Sequence, residues 1–487
     1  MAYNHGVRIL ENPTSLTAPI LGTAAFQVVV GVSPVNLAED PYKATNIVKI
    51  AYSFPEASAA VGYSNNLKDY NLNQSISATF KKFAVAPIAL INVLDPKKHK
   101  TEIPKTTCQV DALQATVGIE GILLDTLVVE AGETTLQADV DYITGFDDDG
   151  YAVITLLESG AGAEATTLSV SADKIDPSQV TSKDIIGGYN VSTGKESGLE
   201  LVRQVYPLLG MTPGLLTSPG YSKDPAVASV MAAKCLNING LFTCECITDL
   251  DSTAEGATKY TDVKTVKEKS GFVSEHMSVV WPKVRIGDEV YYFSAIYSAL
   301  IAYVDASNDD VPNLSASNKP IPITGLCLDD ATDSEIVVDQ EQANLVNSFG
   351  VSTAINFNGF RSWGNNSAAY PGTTDPKDRW FCCRRFFSWW GNSFILSYFQ
   401  KVDDPANTRL IESICDAENI RGNSYAAQGK CAGARITFNQ DENPITDILN
   451  GKIQFHQYLA PYTPAEDILN VLEFDPTMLE EALGGGE

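Results

Sequence analysis

The stretch "AAFQVVVGVSP", residues 24–34, decides the fold class. Val28, Val29 and Val30 are consecutive β-branched residues with no polar alternation, the pattern of a strand covered on both faces. A second such run, "PIALINVLDP" (87–96), follows "NLNQSISATFKKFAV" (71–85), where Ile76, Phe80 and Phe83 recur at helical spacing. Strand, helix, strand in that order calls for a parallel sheet with crossover helices.

The alternation resumes further along. "GLELVRQVYPLLG" reads as helix, "GLLTSPGY" as strand and loop, and "DPAVASVMAAKCLNI" as a helix with Asp224 at the N-cap and Pro225 in its first position. "GLFTCECITDL" is a strand, "YTDVKTVKEKSG" a helix, "SVVWPKVRI" a strand and "SAIYSALIAYVDA" a helix. Next come a helix ("EQANLVNSFG"), strands ("VSTAINFNGFRSWG"), a helix ("RWFCCRRFFSWW") and a long helix over about 407–427. "GARITFNQ" and "GKIQFHQYLAP" are the last core strands. The expected class is α/β with mixed α+β character: a largely parallel sheet with helices on both faces.

Between these parts the texture changes. Residues 101–176 contain no Arg and no Trp and run in period-two segments such as "DTLVVEAG" and "YAVITLL". This predicts an inserted all-β domain. The expected division is an N-terminal arm (1–22), first core part (23–95), inserted acidic β domain (96–184), second core part (185–440) and C-terminal strands and arm (441–487).

The formal charge of −26 is unevenly placed. Residues 95–185 hold 17 acids against 6 lysines, a net of −11, and residues 441–487 hold 10 acids against Lys452 alone, a net of −9. Such a field opposes binding to nucleic acid. There is neither a signal-like h-region nor an apolar run of about 18 residues, so no membrane insertion is expected. Nine irregularly spaced cysteines, Cys244 and Cys246 among them, read as free thiols of a reducing compartment.

Signs of chemistry are few. In "GGYNVSTGKESG" (187–198) a phosphate loop would need Gly at Tyr189 and Ser or Thr at Glu196. "DDDG" (147–150) lacks the spacing of a calcium loop and reads as a hairpin turn. The four histidines show no metal-ligand spacing, and there is no nucleophile elbow. No catalytic residue, cofactor or metal is expected. In the Trp- and Arg-rich passages, Trp380, Cys383, Phe387 and Trp390 share a helical stripe, which points to a core helix. Arg361, Trp363, Arg384 and Arg385 are candidate interface residues.

The end of the chain poses a different question. "AEDILNVLEFDP" (465–476) reads as a strand with apolar residues on both faces, Ile468, Leu469, Val471, Leu472 and Phe474, yet little sequence remains to pair with it.

Together these passages resemble the tail sheath proteins of contractile phages and related injection particles. The similarity rests on "YNHGVRILENPTSLTAPILGTAAFQVVVGVSP", "IIGGYNVSTGKESGLELVRQVYPLLGMTPGLLTSPGYSKDPAVASVMAAKC", "SASNKPIPITG" with "NSFGVSTAINFNGFRSWGNNSA", and "GARITFNQDENPITDILNGKIQFHQYLAPYTPAEDILNVLEFDP". It covers most of residues 1–95 and 185–480. The acidic insert and the helix at 379–391 fall outside the pattern.

The resemblance implies a non-enzymatic virion tail component assembled in the host cytoplasm. Subunits form stacked hexameric rings around an inner tail tube protein and meet baseplate and tail terminator proteins. Arms link neighbours by strand donation, with Val7, Ile9 and Leu10 in the N-terminal arm and Ile468 to Phe474 in the C-terminal one. Residues 12–19 and "DENP" (441–444) are hinges or ordinary loops. The alternatives are the sheath of a headless contractile particle, a bacteriocin or secretion system, and, from another class, a cytoplasmic α/β enzyme with an accessory β domain.

Overall fold

The computed structural model describes residues 20–21 and 24–484. Its centre is an eight-stranded sheet built from β1 (Gln27–Gly31), β2 (Lys49–Ala51), β3 (Ile88–Asn92), β4 (Leu215–Thr217), β5 (Glu245–Asp249), β6 (Met277–Val280), β7 (Val351–Asn356) and β8 (Phe360–Trp363). Their spatial order is β8-β7-β6-β5-β4-β1-β3-β2. The six inner strands are mutually parallel, and β8 and β2 close the two edges antiparallel. Val28, Val29 and Val30 have no exposed surface, as a strand covered on both faces requires.

Two helices pack on β5: α1 (Pro225–Leu236) and α2 (Phe293–Ala306). Asp224 caps α1 by accepting a bond from the Ala226 N–H, with Pro225 in the first turn. In α2 almost every residue from Phe293 to Asp305 is buried, so it is an internal helix rather than an amphipathic surface one. "SVVWPKVRI" divides instead of forming one strand. Met277–Val280 stays in the main sheet, while Lys283–Ile286 joins a separate four-stranded antiparallel sheet. Pro282 lies at the division, where it has no N–H to give a ladder.

Residues 100–175 contain seven strands, all paired antiparallel. Tyr142–Phe146, Ala152–Leu156 and Gln114–Val117 make one sheet; Lys100–Gln109, Thr167–Ile175, Val128–Ala131 and Thr134–Thr135 make the other. They enclose a cluster of their own that includes Val117, Ile122, Val129, Ile154, Leu168 and Val170. The turn at Asp147 is a hairpin turn, its carboxylate accepting the N–H groups of Asp149 and Tyr151. Where the chain enters and leaves this region, buried His99 lies 3.6 Å from an Asp184 carboxylate oxygen.

All nine cysteines are free thiols. Among the described residues no helix is long and apolar enough to cross a membrane, and no three His, Cys, Asp or Glu converge as a metal site.

Candidate inter-subunit surface

The last quarter of the chain builds a small lobe on the main sheet. Helix α3 (Phe381–Tyr398) carries Trp389 and Trp390 against Tyr425 of helix α4 (Thr408–Ala427). Both elements enclose a cluster with Phe386, Trp390, Val311 and Cys431. The buried stripe of α3 therefore runs through Phe386 rather than Phe387, which is only half-buried. α3 is covered by the core on one side and by α4 on the other, so a single 3.6-residue stripe does not describe it.

Arg385 departs from the expected interface role. Its guanidinium is 4% exposed and grips Asp305 of α2, a carboxylate with no exposed surface, through both terminal nitrogens. It is an internal tie between the lobe and the core. The Ser388 hydroxyl on the same helix donates to buried Glu245 of β5. The other three candidates lie elsewhere. Arg384 pairs with Asp378 at 3.2 Å, the Arg361 guanidinium donates to the Asn318 carbonyl, and the Trp363 indole donates to Asn344. The structure does not bring them into one cluster.

Beyond α4, strand β9 (Gly433–Thr437) pairs antiparallel with β10 (His456–Ala460) in a two-stranded sheet, with Gly433 opposite Ala460 and Thr437 opposite His456. The two edges of this sheet differ. On β9, the Asn419 side chain takes both the N–H and the C=O of Ile436, at 3.0 and 3.2 Å. α4 comes so close that a Cβ on Gly422 would stand 2.3 Å from the Ala434 carbonyl oxygen, which only glycine permits. Among the described residues, β10 pairs with no further strand. An unpaired edge of this kind is a template for another strand. The loop at 441–444 is pinned beside it, because Asn443 is buried and its amide bonds the Asn439 and Gln454 main chains.

After β10 the chain crosses the start of α3, where the Glu466 carboxylate pairs with Arg379 at 2.8 Å and accepts from Asn365. From there to Asp475 it forms neither strand nor helix. The strand read at 465–476 finds no strand partner among the described residues. Ile468, Leu469, Val471, Leu472 and Phe474 are 69–87% exposed. A row of five such side chains in water makes this stretch a candidate interaction segment. A short helix that the sequence reading did not anticipate, α5 (Pro476–Ala482), ends the described chain, capped by Asp475. Asp475 followed by Pro476 was the available signal, the same pair that starts α1. Val7, Ile9, Leu10 and the stretch 12–19 lie outside the described residues.

No family model matches the chain. A curated relative, the tail sheath protein of Burkholderia phage BcepMu, is 24% identical over 99% of both chains. The major tail sheath protein of Serratia phage KSP20 is 23% identical over 69% of this chain and 83% of its own length; the tail sheath protein of Escherichia phage P2 is 23% identical over 65% and 74%. Among solved structures, a chain of the six-fold symmetrised anti-feeding prophage (AFP) baseplate matches with TM-score 0.59 and 14% identity, over 98% of this chain and all of its own. The sheath complex of the PVC extracellular contractile injection system, in its contracted state, matches with TM-score 0.58 and 14% identity over 98% and 99%. The fold is the one those chains share, and along the whole sequence the chain is similar to a curated tail sheath protein of a contractile phage.

Proposed function

We propose that the chain is a structural subunit of a contractile sheath, stacked as hexameric rings around an inner tube, and that its arms hold the lattice together by strand donation. One observation carries this reading: among the described residues, an apolar segment near the end of the chain has no strand partner, and the β10 edge of the two-stranded sheet that precedes it takes no further strand. A strand over residues 468–474 added to such an edge on a neighbour makes four or five main-chain bonds, each worth about 1 kcal/mol net. Burial of its apolar side chains adds to this, at roughly 25 cal/mol per Å². Ordering the arm costs about 1–2 kcal/mol per residue, so one link is weak and only the repeated lattice is strong.

Contraction then consists of rigid cores rotating and sliding while the arms keep their partners. Inner tube, baseplate and terminator proteins are the partners of such a polymer, and the particle tail is its place. The acidic region at 100–175 projects its charge outward and limits sticking between particles.

The test is polymerisation. The full chain is expected to form hollow tubes in negative-stain micrographs as its concentration rises. A chain lacking residues 464–487 is expected to keep its circular dichroism and form none. Small monodisperse oligomers at every concentration overturn the sheath reading. Unfolding of the truncated chain overturns arm donation, because the segment then belongs to its own core.

A further inference from the structure

Helix α1 ends in a tight turn that brings two thiols together. Asn239 and Gly240 both take the left-handed region, at φ +61° and +73°, which asparagine and glycine tolerate best. The stem they close pairs Ile238 with Phe242 through main-chain bonds of 2.8 and 3.0 Å. Further down the same stem, the Cys244 N–H donates to the Cys235 carbonyl at 3.0 Å. The sulfurs of these two residues, one on the last turn of α1 and one at the entrance to β5, stand 3.4 Å apart. Main chains joined by a hydrogen bond at this point lie within the span that a disulfide bridges, so the elements need not move to form one.

The pair is shielded in the closed fold. Both cysteines are buried, and burial holds the Cys235 thiol well above its ordinary value, so little thiolate is present to react. The turn is the cover. Leu236, Asn237, Asn239, Gly240 and Leu241 are exposed, while Phe242 is buried with its ring 4.6 Å from that of Tyr206. Opening a turn held by so few contacts costs far less than unfolding the central sheet, and it uncovers the sulfurs. Asn392 of α3 bonds both the N–H and the C=O of Thr243, which keeps Cys244 in register when the turn opens.

We propose that Cys235 and Cys244 form a modification site: a dithiol that a small peroxide converts into an intrachain disulfide, stapling the end of α1 to β5. Hydrogen peroxide oxidises one thiol to a sulfenic acid as its O–O bond breaks and a water leaves. The other sulfur then attacks the sulfenic sulfur, the S–O bond breaks, and the hydroxyl departs with the remaining thiol proton as a second water. The two thiols lose two electrons and the peroxide gains them. The chemistry stands on the geometry of the pair alone. Its timing, reduced while subunits are made inside a cell and oxidised in a released particle, rests on the sheath reading above.

Mass spectrometry of the dilute full chain, reduced and then treated with hydrogen peroxide, tests the site. The remaining thiols are blocked in denaturant, and trypsin with chymotrypsin then cuts after Lys234 and Phe242. Peptides carrying Cys235 and Cys244 are expected to stay joined until dithiothreitol separates them, with seven of the nine thiols left to block. The bond closes a loop of ten residues, so the unfolding constant in urea is expected to fall about a hundredfold on oxidation. Absence of the joined peptides once the half-buried Cys415 has been oxidised overturns the proposal. A link that survives in Cys244→Ala overturns the pairing, because Cys246, two residues along, is then the partner. A disulfide that forms but raises the unfolding constant overturns the claim that the fold is set for it. Tubes are scored separately with the reduced chain, which keeps a failure of the thiol pair distinct from a failure of the sheath reading.

Discussion

Removing the Arg385 side chain tests whether the C-terminal lobe and the core behave as one body. In Arg385→Leu the Asp305 carboxylate keeps its buried position without its cation, and Glu245 of β5 is a second buried acid nearby. Breaking a buried pair by deleting one partner costs about 3–5 kcal/mol, because the remaining charge is desolvated and uncompensated. Burial already pushes the Asp305 carboxyl above its ordinary value, and the guanidinium is what opposes that push. Without Arg385 the folded-state pKa rises further, well above the unfolded one.

The sign of the pH effect follows. An acid with a raised folded pKa contributes no penalty below its unfolded value, near 4, and a growing penalty as pH rises from there. The cost of Arg385→Leu is therefore larger at pH 7 than at pH 5, by up to about 1.4 kcal/mol per pH unit. Urea unfolding followed by tryptophan fluorescence measures it. All five tryptophans lie between residues 281 and 390, so the signal ignores the region 100–175. The double variant Asp305→Leu/Arg385→Leu is expected to recover most of the loss, since an apolar pair of similar volume removes the stranded charge. A single-variant cost under about 1 kcal/mol, or one that does not shrink between pH 7 and pH 5, refutes the tie.

Two further outcomes are expected. Burial holds the His99 imidazole below its ordinary value, so below about pH 6.5 the unfolded chain takes up a proton that the folded one resists, and stability falls. Asp184, held at about 2 because its bonds to Lys98 and Thr181 outweigh burial, adds a second loss as pH drops from its unfolded value near 4. Thermal melts of His99→Gln between pH 6.5 and 5 are expected to show a flatter slope than wild type, and an unchanged slope rejects the assignment. Gly62→Ala is expected to cost at least about 2 kcal/mol in denaturant unfolding, because the residue sits at φ +80° and a Cβ meets the Pro34 carbonyl oxygen at 1.9 Å.

What the sequence revealed follows from which forces act locally. The triple valine of β1 announces double-sided burial because no polar residue interrupts it, and Asp224-Pro225 announces the start of α1 because capping is settled within four residues. Trp281-Pro282 was visible as a pair, yet that it sends the flanking strands into different sheets depends on the distant partners Gly325–Cys327. Arg385 was misjudged because its carboxylate is 80 residues away on α2, a distance no periodicity reports. The open edge of β10 was equally hidden. Its strand was legible, but the Asn419 and Gly422 contacts that occupy the opposite edge belong to a helix packed in three dimensions.

On the sheath reading, these unequal edges have a mechanical consequence. The six parallel inner strands, with α1 and α2 packed on β5 and the Arg385–Asp305 tie to the lobe, make a body whose interior resists shear, since close-packed cores respond to load by moving as units. The link to a neighbour is of another kind: a few main-chain bonds and a row of apolar contacts at the end of a single chain with no other element to brace it. Load shared by such parts concentrates in the arm, which can bend along residues 467–474, where it forms neither strand nor helix. Closing β9 with Asn419 leaves β10 as the accessible edge of that sheet. An incoming strand is thereby directed to one side, and a polymer that must change its pitch without losing its connections needs that restriction more than it needs strong individual links.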